Sequence, residues 1–256
     1  MKKLFGRLIS ICFLASSLLS GAVLADCALS VGWEPWQPYQ LKVGDKVTGL
    51  DNDLFSAIAA QAGCVVTFKE RPWKRILEEV KLGELDVALG ASKTEERAVV
   101  ANFSDPYREE TMVMYVRKGD AAKMGYHSFT EMTGKPIKIG VIKDYFYGDE
   151  FAKAKDSAQF QSQLSEVVND EQNLKKLIAS RLDAILIDKF VGADLVKQNG
   201  WGSKLEVHPL AVASDSVYLL LSKETVTPDI IKKLNDALAE IKQNGKYQEI
   251  VDSYLK

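Results

Sequence analysis

The sequence predicts an α/β protein with two lobes of similar build, each formed around a parallel sheet. Three observations carry this. Strand-like and helix-like patterns alternate along the chain after its first 25 residues. The strand-like runs, such as LDVALG at 85–90, are short and nearly continuous in apolar residues, as strands covered on both faces are. LEEVKLGELDVAL (77–89) also aligns without a gap on LKKLIASRLDAIL (174–186), matching Leu77 with Leu174, Val80 with Leu177, Leu85 with Leu182 and Asp86 with Asp183. A helix entering a buried strand recurs throughout α/β proteins, so the alignment indicates similar build and not duplication.

Residues 1–25 form a separate unit. MKKLFGRL supplies Lys2, Lys3 and Arg7, ISICFLASSLL is a short apolar core, and SGAVLA ends in small residues. This is the pattern of a secretory signal peptide cleaved after Ala25, and the core is short for a membrane span. A retained N-terminal anchor is the alternative. A lipoprotein reading of LADC is disfavoured by Asp26 before the cysteine. Cleavage removes three bases and no acids from a chain whose formal net charge is -2. The mature chain is therefore acidic, which gives no electrostatic basis for binding nucleic acid. Cys12 leaves with the signal, and Cys27 and Cys64 remain. An even pair in an exported chain predicts a disulfide, with two buried free thiols as the alternative. The loop it closes would contribute about 4 kcal/mol by chain entropy.

The elements follow in order. CALSVGW (27–33) reads as a strand. DNDLFSAIAAQAG (51–63) reads as a helix with Asp51 as N-cap, Gly63 just past its end, and Leu54, Phe55, Ile58 and Ala59 on one face. CVVTFK is a strand, WKRILEEVKLG a helix with Ile76, Leu77 and Val80 inward, and LDVALG a strand. The second series runs through IKIGV (137–141), QNLKKLIASR, LDAILI (182–187) and KFVGADLVKQNG. The chain closes with the strand VYLLLSK and two helices, the first opened by Pro228.

In open parallel α/β sheets, ligands bind beyond the carboxyl ends of the strands. In the first series those residues are GASKTEER, and in the second, Asp188. If the lobes face each other, a cation from one and an anion from the other look into one cleft, suiting a ligand with a carboxylate and an ammonium group.

These residues resemble a known family. WEPWQPY after the first strand, GLDNDLFSAIAAQAG, PWKRILEEVKLGELDVALGASKTEERAVVANFSDPY, GKPIKIGVIKDYFYGDEF, SRLDAILID and LNDALAEIKQNGKYQEIVDSYL occur in the order found in periplasmic solute-binding proteins of family 3, the polar amino-acid receptors of ABC importers. The resemblance spans nearly the whole mature chain. It implies a two-lobed periplasmic-binding-protein-like (type II) fold, with two parallel-sheet lobes joined by two crossing strands near 112–118 and 214–220. Residues 26–116 would open lobe one, 117–215 would form the inserted lobe two, and 216–256 would complete lobe one.

The resemblance also implies roles. Arg97 would grip the ligand's α-carboxylate, for which guanidinium offers a planar fork. Ser92 and Thr94 would stand beside it, and Asp188 would receive the α-ammonium. Trp36 and Trp73 would sandwich the ligand by apolar packing or cation–π attraction. Each residue has a plainer reading: Arg97 pairs with Glu95 or Glu96 at the surface, Asp188 caps the helix that follows it, and the tryptophans pack in the core. The sequence departs from the family at IKDYFYGDE, where Lys143, Asp144 and Tyr145 replace small residues. Trp33 stands where some binders of basic amino acids carry an acid, with Glu34 adjacent. Asp86 and Asp183 precede their strands and read as structural.

An enzymatic reading is weaker. His127 and His208 lie far apart in no metal spacing, and GxSxG, HExxH and a phosphate-binding glycine loop are absent. Some proteins of the implied fold, the cyclohexadienyl dehydratases, are enzymes, and Asp144, Asp149 or Glu150 could serve as their acid–base group. A stand-alone ligand-sensing subunit is a third reading, disfavoured by the absence of a transmembrane segment after SYLK. The expectation is a monomeric receptor with no cofactor or metal, working with a membrane permease in the periplasm.

Overall fold

The computed structural model describes residues 27–254. The signal peptide expected over 1–25 lies outside the described residues. The first half of the chain runs β1 (Ala28–Trp33), β2 (Leu41–Val43), β3 (Lys46–Thr48), α1 (Leu50–Gln61), β4 (Val65–Glu70), α2 (Trp73–Leu82), β5 (Val87–Ser92), α3 (Glu95–Val100), β6 (Ala101–Phe103) and β7 (Arg108–Arg117). Then follow α4 (Phe129–Met132), β8 (Ile139–Ile142), α5 (Asp149–Lys155), α6 (Ala158–Gln161), β9 (Leu164–Val167), α7 (Asp170–Ile178), β10 (Ala184–Asp188) and α8 (Lys189–Gln198). The chain returns through β11 (Leu205–Val207), β12 (Ala213–Ser222), α9 (Pro228–Gln243) and α10 (Lys246–Tyr254).

The main sheet has the order β4-β1-β5-β12-β7-β10-β8-β9. Its two wings are parallel, β4 with β1 and β5 in one lobe and β10 with β8 and β9 in the other. The centre is antiparallel. β7 pairs with β12 over Arg108–Met112 and with β10 over Met112–Val116, so one strand passes from lobe to lobe. β12 returns, leaving β7 at Val217 and joining β5. Because both crossing strands bond to their neighbours throughout, the two wings form one continuous mixed sheet.

The apolar face of α1, with Leu54, Phe55 and Ile58, is buried with Leu234, Leu238 and Ile241 of α9. Lobe two has its own core, where Phe129, Phe151 and Phe160 meet edge-on. The aspartates before the two aligned strands act alike. Asp86 accepts from the Ser30 N–H and hydroxyl (2.7 and 2.8 Å), and Asp183 accepts from the Lys138 N–H (2.8 Å). Each ties its own strand to the first strand of its lobe. Cys27 and Cys64 are joined by a disulfide at the start of the paired strands β1 and β4.

One local expectation is corrected. Asp51 does not cap α1; Gly49 does, with φ 112°. A Cβ on Gly49 would lie 2.4 Å from the Tyr39 carbonyl oxygen, so only glycine fits the turn beneath it. Asp51 lies inside the first turn, fully buried, where it receives two hydrogen bonds from Arg108 (2.6 and 2.9 Å).

Candidate functional site

A small cavity lies at the carboxyl ends of β1 and β5, against β7 and beneath a loop of lobe two. β5 shapes its floor. It pairs with β12 at Ala88–Leu220 and again at Ala91–Tyr218, so β5 carries one residue more than its partner across this stretch. Gly90, inside that bulge, has φ 70°. Bulges of this kind bend a strand and re-aim its side chains, and here Leu89, Gly90 and Ser92 line the cavity.

Beyond β5 the chain turns into α3. Thr94 is its N-cap, accepting from the Arg97 N–H at 3.2 Å. This cap places Arg97 one turn in, with its guanidinium folded back over the strand end. One terminal nitrogen donates to the Ser92 carbonyl (2.9 Å) and the other to the Asp144 carbonyl of lobe two (3.0 Å). The guanidinium carbon is 5.5 Å from the Trp73 ring centroid. Burial lowers the Arg97 pKa, and the Glu110 carboxylate is the foremost of the charges that offset this.

The aromatic wall comes from three segments. Trp36 sits in a tight turn closed by the Trp36 N–H on the Gln40 carbonyl (2.8 Å), and its ring lies 4.8 Å from Tyr39. Trp73 opens α2. Its N–H donates to Glu34 (2.8 Å), which caps the helix from outside because Pro72 at the N-cap position has no side-chain bond to offer. Tyr145 enters from lobe two, edge-on to both tryptophans at 6.2 and 6.1 Å, and its hydroxyl donates to Glu34 (2.8 Å). Burial raises the Glu34 pKa, against the pull of these two donors.

Tyr145 belongs to the loop IKDYFYGDE, where the sequence departs from the family it resembles. Asp144 there has φ 64°, a left-handed conformation that aspartate tolerates better than most residues. This backbone turn aims the Asp144 carbonyl at Arg97 while Tyr145 reaches Glu34. Farther out, Tyr39 donates to Asp188 (3.3 Å) and Gln198 to Gln37 (2.7 Å). These four side-chain bonds join the lobes across the cleft, which is a closed arrangement.

Arg97, Ser92, Trp36, Trp73, Glu34 and Tyr145 are thus brought together around one cavity. Thr94 and Asp188 are not in its wall. The Thr94 hydroxyl is occupied as a helix cap. Asp188 ends β10, is 1% exposed, and caps α8 by accepting from the Phe190 and Val191 N–H groups (2.8 and 3.0 Å). Burial raises its pKa, offset by these bonds and by Arg108.

Gln40, Glu110, Met112 and Phe146 also line the cavity and were not foreseen from sequence. A signal for Glu110 was present. In REETMVMYVR the residues Arg108, Glu110, Met112 and Met114 alternate onto one buried face, so Glu110 is an acid in an apolar register. Burial pushes the Glu110 pKa up to about 8, opposed first by Arg108 and reinforced by Asp188 and Asp51.

None of the acids considered for catalysis lines the cavity: Asp144 offers its carbonyl to Arg97, Asp149 begins α5, and Glu150 accepts from the Phe129 N–H (2.9 Å). Among the described residues no group of three His, Cys, Asp or Glu side chains is placed to hold a metal, and no helix is long and apolar enough to cross a membrane.

Comparison with known proteins agrees with this architecture. A probable histidine-binding protein of Neisseria gonorrhoeae is 29% identical over 82% of this chain and 75% of its own. An ABC transporter arginine-binding protein of Escherichia coli K12 is 25% identical over 92% of both chains. Among solved structures, an ancestral arginine-binding protein bound to arginine superposes with a TM-score of 0.77 at 27% identity, covering 91% of this chain and all of its own. The sequence profile of the bacterial extracellular solute-binding proteins, family 3, matches residues 29–256, and with its two parallel wings, crossing strands and interlobe cavity the chain belongs to that family.

Proposed function

We propose that this protein is the exported receptor of an ABC importer, a monomer that captures a polar amino acid or a closely related small carboxylate by closing its two lobes. The observation that carries the reading is Arg97 of α3, half-buried and folded back over the end of β5 onto an aromatic-walled cavity between the lobes. Two of its N–H donors rest on carbonyls, and the remaining ones are free to hold a carboxylate in the bidentate manner of guanidinium. Ser92 stands beside it, and Trp36 and Trp73 supply the apolar walls. Histidine and arginine, named for the relatives, are ligands of this class.

In this reading the ligand first meets lobe one through Arg97 and the tryptophans. Closure then brings the 143–146 loop over it and expels water, which strengthens the charge contact. The ligand favours the closed form only to the extent that it binds that form better than the open one. The closed receptor is then the species that docks on the permease.

Calorimetry on residues 26–256, freed of carried-over ligand, tests this against amino acids, small organic acids and sugars. Amino-acid binding that weakens at least a hundredfold in Arg97→Ala is expected. Tight binding that survives Arg97→Ala would refute the carboxylate assignment, and sugar binding alone would refute the ligand class. Turnover of prephenate or arogenate would make the protein an enzyme instead.

A further inference from the structure

We infer that Glu110, on the crossing strand β7, is the acid that receives the cationic group of the ligand whose carboxylate Arg97 holds. The inference rests on the amino-acid reading and names the second half of its ligand grip.

Glu110 and Arg97 line the same cavity. Glu34 also lines it, Asp188 stands nearby, and Asp170 lines a separate opening with Glu34, Trp36 and Tyr145; the occupancy of the nearer acids differs. Glu34 already accepts from Tyr145 and Trp73, and Asp188 from Tyr39, Phe190 and Val191. Glu110 is 8% exposed, and its carboxyl group has no hydrogen-bond or ion-pair partner among the described residues. Burying an unpartnered carboxylate is costly, and such a group aimed into a cavity beside an arginine is placed for a partner that arrives with the ligand. The neighbouring Arg108 does not fill the role, because its fork is held by Asp51.

The charged groups around Glu110 are Arg108 on its own strand, Asp51 of α1, Arg97 of α3 and Asp188 of β10. Glu34 lines the same cavity, so with Glu110 ionised the acids outnumber the two cations and the site lacks positive charge. An ammonium group supplies it. A ligand carrying both a carboxylate and an ammonium group satisfies Arg97 and Glu110 together, whereas a plain organic acid satisfies only Arg97.

Position adds a second consequence. β7 bonds to both lobes, so Glu110 is in place before closure, unlike Asp188 across the cleft. Burial keeps the empty site's Glu110 protonated at neutral pH. Binding of an ammonium ion favours the ionised carboxylate, so uptake of a zwitterion at pH 7 is accompanied by release of part of a proton.

The test is calorimetry at pH 7 in buffers of different ionisation enthalpy, with L-histidine and L-arginine as probes and imidazolepropionate as the histidine analogue lacking the α-amino group. Wild type, Glu110→Gln and Asp188→Asn are compared, each checked by thermal melting. The inference expects Glu110→Gln to melt no lower than wild type, to lose at least tenfold in affinity for the amino acid, and to release no proton. It also expects the preference for histidine over imidazolepropionate to collapse in that variant. Wild-type affinity and proton release retained in Glu110→Gln would overturn the inference while leaving the amino-acid reading intact. Loss of both in Asp188→Asn alone would give the role to Asp188. If the wild type binds neither amino acid nor any other in a full panel, the amino-acid reading falls and this inference falls with it.

Discussion

The Asp51–Arg108 pair gives the most quantitative prediction. Asp51 is fully buried in the first turn of α1, and Arg108 opens the crossing strand β7, 57 residues away. Two hydrogen bonds join them at 2.6 and 2.9 Å, and the Arg108 side chain is 5% exposed. Arg108→Met keeps the apolar stem and removes the charge, leaving a carboxylate buried without its partner. Breaking one side of such a pair costs about 3–5 kcal/mol. For a protein of this length that corresponds to a fall in melting temperature of about 6–20 °C. The guanidinium also lies 3.9 Å from the Tyr39 ring and 5.7 Å from Trp36, so the variant should bind ligand more weakly as well. The control is the double variant Asp51→Leu/Arg108→Met, which replaces both charges and should recover most of the loss. Urea denaturation of the two single variants and the double variant completes the cycle. A cost below about 1 kcal/mol for Arg108→Met, or a double variant no more stable than the single, would refute the assignment of an ion pair whose main cost is desolvation.

Two further outcomes follow from the closed arrangement. Tyr145→Phe removes the hydroxyl bond to Glu34 across the cleft; small-angle scattering of the ligand-bound protein should shift toward an open form, and an unchanged radius of gyration would show that this bond does not hold the lobes. Asp170, buried at the start of α7, has its pKa pushed up to about 7 by burial, with the Glu34 and Asp188 charges adding to it. The folded state then binds more protons than the unfolded one between about pH 4 and 7, so stability falls as pH rises through that window. Asp170→Asn should flatten this slope and melt higher than wild type at pH 8; a slope unchanged by the substitution would place the titration elsewhere.

Much of the fold was legible because its signals are local. The apolar periodicity of α2, with Gly83 just past its end in a left-handed conformation, needs only neighbouring residues to read. The same holds for Pro228 at the start of α9 and for the matched aspartates before β5 and β10. Asp51 misled for the same reason. Near a helix start, aspartate reads as a cap by its local preference, and only its partner 57 residues later makes it half of a buried ion pair. For Asp188 the local reading as a helix cap is what the structure displays. REET reads as ordinary charged surface in sequence, and only the pairing of β12 along it and the burial of one face of β7 set Glu110 apart.

By itself the sequence determined the alternation of strands and helices, the pairing of two cysteines, and an arginine just past a buried strand. These follow from side-chain periodicity, residue type and chain order, which are written locally. Tertiary structure alone decided which groups share the cavity. Tyr145 meets Glu34 across 111 residues, and Arg97 meets Asp144 across 47. It also decided that Glu110 is left unpartnered while Glu34 and Asp188 are engaged. The physical reason is that burial and pairing of a charge depend on every element that packs around it, and here those elements come from both lobes and both crossing strands.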